Sequence, residues 1–589
     1  MRNLGHVTRF ALGLSILSAG VLSASTARAN GFETPSNGTE QMARGAAWLA
    51  RASDPLATFY NPAALSRNGT DVSVSVNLFF AKNCFQRLGP GGQPVEIGVD
   101  AKKQSDGMGG TVLPAGATYG EVCNEQAPFP NPQLAFSWRV TDKLGLGIAV
   151  MGPSANGKLS YPITQTNTSQ GYGNSMQLGA PGMFSTNTGP YPSGSRFLLS
   201  ELDAKIIWPQ IAFGYEIAPR LRVGASFIWG IALLKLGNVS MGQNNTGTLG
   251  AAQQYNPDTG RLQENGNLEL SAAVTGHDYF VPGLVASALY EATDNIDVAA
   301  WYHVSKDVHA TGQADVTGTI FNGKDPSKPN DNPTTNHTPD GQTTINVAQP
   351  MEARIGVRFH MPRTTAVAHD PDPADGSAPS PAAPAERRII DPLHDDVFDI
   401  ELDGEWSHDS QLKNVELRFP TGVPIVVDKG ASPPAGSVPL STVPTNADVP
   451  HNWKDSFGVR LGGDYVAIQD RLAIRAGGWF QSSSMDAKYL HIDFLPTQRI
   501  ALTAGGTVRI GPVDVQLGFA HVFSATLDNG GNGGIFALSG QSGSTNAVSS
   551  AKPGFCPPSS NNRSECAING GRLTSSINIA SLGVVYRFR

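Results

Sequence analysis

Thr70-Asp71-Val72-Ser73-Val74-Ser75-Val76-Asn77-Leu78-Phe79-Phe80 is the stretch on which the fold turns. Val72, Val74, Val76, Leu78 and Phe80 share one face, and Ser73, Ser75 and Asn77 share the other. A period of two is that of a β-strand. The pattern returns in Gln133 to Val140, where Leu134, Phe136, Trp138 and Val140 oppose Gln133, Ser137 and Arg139. After Thr141-Asp142-Lys143 it returns again, with Leu144, Leu146, Ile148 and Val150 against Gly145, Gly147 and Ala149. A soluble sandwich would turn the apolar face inward and a membrane barrel would turn it outward, so periodicity alone does not choose.

The spacing of the connections does. Short turns at Thr141–Lys143, Ala218–Arg220, Glu291–Asn295, Ile468–Asp470 and Gly511–Pro512 alternate with long segments near 81–132, 152–204, 237–278, 307–348, 411–453, 485–498 and 526–572. Tight turns at one end and long loops at the other mark an outer-membrane barrel. The strands so defined cover roughly 70–80, 133–140, 144–151, 205–217, 221–236, 279–290, 296–306, 349–360, 397–410, 454–467, 471–484, 499–510, 513–525 and 573–588. They predict an all-β, antiparallel transmembrane barrel of fourteen strands over 70–589. Trp138, Trp208, Trp229, Trp301, Trp406 and Trp479 fall in these strands, where an aromatic girdle would place them.

Composition agrees. Of 589 residues, 15% are charged, 40% are hydrophobic, 66 are Gly and 42 are Pro. Soluble globular chains carry about 25% charge, and a helical membrane bundle needs repeated apolar runs of about 20 residues. No such run follows the leader. Arg2, His6 and Arg9, the apolar stretch Phe10 to Leu22 and Ala27-Arg28-Ala29 read as a signal peptide over 1–29. Its removal moves the net charge from −7 to −10, which does not favour nucleic acid.

Cys84, Cys123, Cys556 and Cys566 allow three pairings, and none has metal or redox spacing. The strand assignment places Cys84 and Cys123 in the first long loop and Cys556 and Cys566 in the last, so two bridges within loops are expected, as an oxidising compartment allows. One short-turn connection breaks the rule. Residues 361–394 include Ala378-Pro379-Ser380-Pro381-Ala382-Ala383-Pro384 and read as a disordered periplasmic insertion. Asp370, Asp372 and Asp375 within it lack the ligand set of a calcium loop, so no metal site is expected.

Residues 30–69 precede the first strand and do not read as one. Thr39 to Ala50 suits a short helix, and Pro62 biases Asn61 away from helix. A fourteen-stranded lumen is wide enough to need filling or to conduct water, so 30–69 reads as a plug, with a loose periplasmic tail as the alternative. Asn30-Gly31-Phe32, Ala43-Arg44-Gly45-Ala46-Ala47, and Asp54 followed by Phe59-Tyr60-Asn61-Pro62-Ala63-Ala64-Leu65 resemble the hatch of the FadL/TodX family. These are outer-membrane transporters of long-chain fatty acids and aromatic hydrocarbons. Asn452-Trp453-Lys454-Asp455, Leu472 to Gly478, Leu495-Pro496 and Arg499 resemble that family's C-terminal strands. The 361–394 insertion and the ending Tyr586-Arg587-Phe588-Arg589 depart from it.

The resemblance implies a monomeric bacterial outer-membrane channel for passive uptake of hydrophobic molecules, with membrane lipid around it and no cofactor. Its outer loops, here about 237–278 and 307–348, would capture ligand. The hatch would then rearrange and release ligand through a lateral opening beside a kinked third strand. Gly152 and Pro153 are the kink residues this implies. Gly31, Phe32, Arg44, Asp54, Asn61, Pro62 and Ala63 are the hatch and gating candidates. Asn61 is expected to pair with backbone around Pro62, and Arg44 and Asp54 to anchor the hatch to the lumen wall. The loops hold few large apolar residues, which speaks against a greasy capture groove. A general diffusion porin for small polar solutes is the alternative. His303, His309, His408 and His521 accompany no nucleophile elbow or metal motif, so no catalytic residues are expected.

Overall fold

The computed structural model describes residues 33–588 apart from 35–36, 99–117, 126, 154–156, 166–190, 242–252, 256–259, 266–268, 318–334, 364–388, 426–440, 443–444 and 536–566. The leader, Gly31, Phe32, Cys556, Cys566 and the Pro/Ala tract therefore lie outside the described residues.

Fourteen strands form the wall: β1 Asp71–Gly89, β2 Phe129–Arg139, β3 Leu144–Met151, β4 Glu201–Ala218, β5 Leu221–Met241, β6 Glu269–Glu291 and β7 Ile296–Ser305. They continue with β8 Glu352–Pro362, β9 Asp396–Ser407, β10 Ser456–Ile468, β11 Leu472–Gln481, β12 Arg499–Ile510, β13 Val513–Ser524 and β14 Gly571–Arg587. Each pairs antiparallel with the next, and β14 returns to β1 along the register Asp71↔Arg587 to Arg87↔Gly571. Closure pairs the last strand with the first, so the sheet has no free terminal strand, as a lipid-facing wall requires.

The alternation resolves outward. Val74, Ile148, Phe213, Leu461, Leu502 and Leu517 are exposed, while Asn77, Gln133, Asp403, Arg460 and Thr503 are buried. Apolar residues face out and polar residues face the lumen, the inverse of a soluble core. Trp138 and Trp229 share the outer face, but Trp208, Trp301 and Trp479 are buried inside. Girdle placement fails for these three because alternation, not residue type, selects the face.

Several strands run further than turn spacing suggests. β1 continues to Gly89, β5 to Met241, and β6 begins at Glu269. Beyond the wall, Val308–Thr317, Thr343–Val347, Asn414–Arg418 and Asn446–Pro450 join the same sheet. Segments read as loops thus build a β-layer at the long-loop end. It contains its own apolar core, which includes Phe85, Leu198, Leu202, Leu236, Leu412 and Trp453. Cys84 and Cys123 are bridged in it, on paired strands. The insertion is also narrower than 361–394. Met361 and Pro362 belong to β8, Ile390 donates its backbone N–H to Arg67 O, and Asp391 receives Arg509 at 2.6 Å.

Candidate functional site

The segment 37–68 lies inside the barrel and is buried throughout. It contains α1 Thr39–Ala43, α2 Ala57–Tyr60 and a 3-10 turn over Pro62–Ser66. It lies close to the wall because the wall is glycine there. A Cβ on Gly145 would stand 1.9 Å from Leu65 O, and one on Gly224 would stand 2.3 Å from Ala63 N. On the far side, Gly462 and Gly477 leave room for the backbone of Arg44. The small face of Leu144–Val150 is therefore a floor for this segment.

Charge fixes it further. The run Asp399-Ile400-Glu401-Leu402-Asp403 puts three carboxylates of β9 inward. Arg44 reaches Asp399 and Asp464, each at 2.7 Å, and Arg51 reaches Asp399 at 2.5 Å and Asp464 at 3.1 Å. Arg358 and Arg475 from the wall complete the lattice, with Arg475 3.3 Å from Glu40. Burial alone would push the Glu40 carboxyl up, but Arg475 and Arg51 hold it well below its ordinary value. Glu401 and Asp403 also accept from backbone: Ala50 N–H donates to Glu401 at 2.5 Å and Trp48 N–H to Asp403 at 3.1 Å.

The structure divides the sequence-predicted residues. Arg44 is bound to the wall. Asp54 is not, since it accepts from Gln41 Nε2 at 2.9 Å and from Leu56 N–H at 2.7 Å within its own segment. Burial and the nearby negative charge of Glu40 raise its carboxyl to about 7. Asn61 is fully buried, but its amide donates to Leu49 O at 2.7 Å, not to backbone around Pro62. A side-chain amide beside an X-Pro bond can bridge to a distant turn as readily as a near one, so sequence position did not identify the partner. Pro62 opens the 3-10 turn, where its missing N–H costs nothing, and Ala63 N–H donates to Ser287 of β6 at 2.9 Å.

Three residues of the segment escaped the sequence reading. Arg51 is one. Arg67 is another, spanning Ala50 O, Glu291 and Asp297. Asn37 is the third: its Nδ2 donates to Gly152 O at 2.9 Å, and its Oδ1 accepts from Asn131 at 3.0 Å. Asn37 thus ties the segment to the end of β3. The inward tryptophans belong here too, with Trp208 and Trp301 each 5.6 Å from the ring of Phe59 and Trp301 Nε1 donating to Phe59 O.

At Gly152 the wall is incomplete among the described residues. The β2–β3 ladder stops at Leu134↔Val150, so Phe129 to Gln133 pair only with β1. β4 pairs with β3 up to Trp208↔Met151 and resumes with Lys158–Ser160 at Asp203. Even-numbered residues of this part of the chain aim their N–H groups toward the β3 side, as Val140 does, while Arg139 donates toward β1. Pro130 and Pro132 therefore present nitrogens without protons to the interrupted ladder. Proline belongs on such an edge.

A cavity of about 440 Å³ reaches this place. It is lined by Phe129, Gly152, Pro153, Ile206 and Trp208, and on the other side by Leu202, Leu236, Val347 and Leu495 of the long-loop layer. Its polar lining includes Glu33, Asn131, Lys205, Glu352, Asp493 and Arg499. Pockets of this size hold one small apolar ligand.

No protein-family model matches the chain, and no curated protein matches it. Solved structures do. The crystal structure of a Pseudomonas aeruginosa FadL homologue is 14% identical, with 95% of this chain and 100% of that chain covered and a TM-score of 0.59. The P. putida toluene transporter TodX is 12% identical, with 94% and 99% covered and a TM-score of 0.52. This chain has the fold of the FadL homologue and of TodX, a closed fourteen-stranded outer-membrane barrel.

Proposed function

We propose that the chain is an outer-membrane channel for passive uptake of hydrophobic molecules, of the class of long-chain fatty acids or aromatic hydrocarbons. The observation that carries this reading is the apolar cavity between the long-loop layer and the interruption at Gly152. Its neighbours in fold, one described as a toluene transporter, support the same class of cargo.

In this reading residues 30–69 are a hatch. A ligand enters among the long loops, whose β-layer packs an apolar core and lines the cavity with Val347 and Leu495. It gains about 0.8 kcal/mol per CH₂ removed from water. Inside the cavity it meets Gly152 and Asn131, both of which are hydrogen-bonded to Asn37 of the hatch. When that contact shifts, the ligand leaves sideways between β2 and β4 into the bilayer, past Pro130 and Pro132, which offer no N–H to close the ladder. The charge lattice around Arg44 and Arg51 keeps the body of the hatch in place, so polar solutes find no open lumen.

Uptake of radiolabelled oleate and toluene, by cells expressing the chain in a transporter-deleted background, tests this. Uptake of at least one, with low conductance for small ions in planar bilayers, is expected. Open conductance without uptake of either would identify a diffusion porin instead.

A further inference from the structure

Beside the ligand cavity, two segments of the long-loop layer bring together His451, His491 and Asp493, all buried. His451 follows the strand Asn446–Pro450, and the other two lie in the connection between β11 and β12. Their potential ligand atoms all lie within 4.8 Å of one another. Forty residues separate the two histidines, so no spacing motif announces them.

The hydrogen bonds fix which nitrogens carry protons. His451 Nδ1 lies 2.9 Å from Val449 O, and His491 Nε2 lies 2.9 Å from Pro450 O. A carbonyl oxygen only accepts, so both of these nitrogens are N–H donors. The other nitrogen of His491, Nδ1, is left with a lone pair, buried and without a hydrogen-bond partner. The other nitrogen of His451, Nε2, lies 3.0 Å from Asp493 Oδ2. The two rings stack at 4.4 Å, with Trp453 and Phe494 against His451. A ligating histidine characteristically donates its second N–H to a backbone carbonyl, which sets the tautomer and orients the ring. Both histidines do so here.

We propose that His451 Nε2, His491 Nδ1 and the Asp493 carboxylate bind one divalent transition-metal ion of the zinc class. Two imidazoles and one carboxylate suit such an ion, whereas calcium and magnesium take oxygen ligands. With Nε2 of His491 donating to Pro450 O, its Nδ1 presents a buried lone pair to the ion. On binding, the ion takes the place of the proton between His451 Nε2 and Asp493, and that proton leaves to solvent. The ion would then cross-link the segment before β10 to the connection before β12. Asp493, Phe494 and Leu495 line the cavity, so the link would stiffen its long-loop side. This proposal does not depend on which molecule the cavity carries.

The test uses the full mature chain, refolded or extracted without a histidine tag, stripped with chelator and then dialysed against zinc. Elemental analysis is expected to give about one zinc per folded chain. Cobalt in its place is expected to give the intense visible bands of a low-coordinate site. His491→Ala and Asp493→Asn are expected to lose both signals, and His337→Ala, at an exposed site of the same layer, is expected to keep them. Folding of each variant is followed by its heat-modified gel mobility. Zinc at background in the folded wild-type chain overturns the proposal, as does equal zinc in wild type and folded His491→Ala. If neither site variant folds, the wild-type cobalt spectrum decides: bands without nitrogen ligand character, or none, overturn it.

Discussion

Asp54 shows what burial does to a single carboxyl. It faces an amide and a backbone N–H and no guanidinium, and its carboxyl rises to about 7 from 3.8. An acid held protonated in the folded state contributes stability that is full below about 4 and lost as pH rises through about 7. The chain is therefore predicted to lose up to roughly 4 kcal/mol from this group between those limits. Asp54→Asn should remove that part of the pH dependence, as measured by the difference in unfolding between the two proteins from pH 4 to 8; parallel curves would contradict it. Arg44 is the opposite case. Arg44→Met leaves Asp399 and Asp464 short of a partner, and breaking a buried pair costs about 3 kcal/mol or more. The variant should unfold at lower denaturant and admit protease to the hatch; wild-type resistance would show that Arg51 and Arg358 suffice. Arg44 was legible from the sequence because it sits in a recognisable block. Asn37 and Arg67 were not, because their meaning lies in partners more than 100 residues away.

The elements tell a different story about legibility. The fourteen strands could be read because apolar and polar residues alternate while short and long connections also alternate. The β-layer at the long-loop end was less legible, although Val308–Thr317 and Thr343–Val347 alternate buried with less buried residues; the inner face of the first is largely Ala and Gly opposite Thr, Gln and Asp, which gives the two-residue period little hydrophobic contrast. The missing glycine reading was a matter of distance: Gly145 and Gly224 look like mere small residues until the 3-10 turn lies on them. Gly145→Ala should force that turn away from the wall, at about 1–3 kcal/mol for overpacking. Raised single-channel conductance would report it, and unchanged conductance with unchanged stability would deny the contact. In β2, Pro132→Ala restores an N–H toward the interrupted ladder. An unpaired amide in apolar surroundings costs about 1–3 kcal/mol, so the folded barrel in detergent should become less stable. A more stable variant would mean that β2 finds a partner there.

For the whole molecule, three features align along one path. The long-loop layer has an apolar core, the cavity below it is apolar, and the wall beside the cavity is interrupted where the hatch touches Gly152. A charge lattice closes the rest of the lumen. Each feature has a local cause, and in the proposed function they combine into one route for hydrophobic molecules that polar solutes do not share. The most direct test of that route is to fill the cavity without disturbing the lipid face. Ala204 faces the cavity on β4, and Phe213 faces outward on the same strand. Uptake of labelled oleate and toluene should be compared for wild type, Ala204→Trp and Phe213→Trp at matched surface expression. Ala204→Trp is expected to cut uptake of the transported ligand at least fivefold while Phe213→Trp leaves it unchanged. Equal uptake by all three proteins would contradict it, because the ligand would then cross by a path that avoids the cavity.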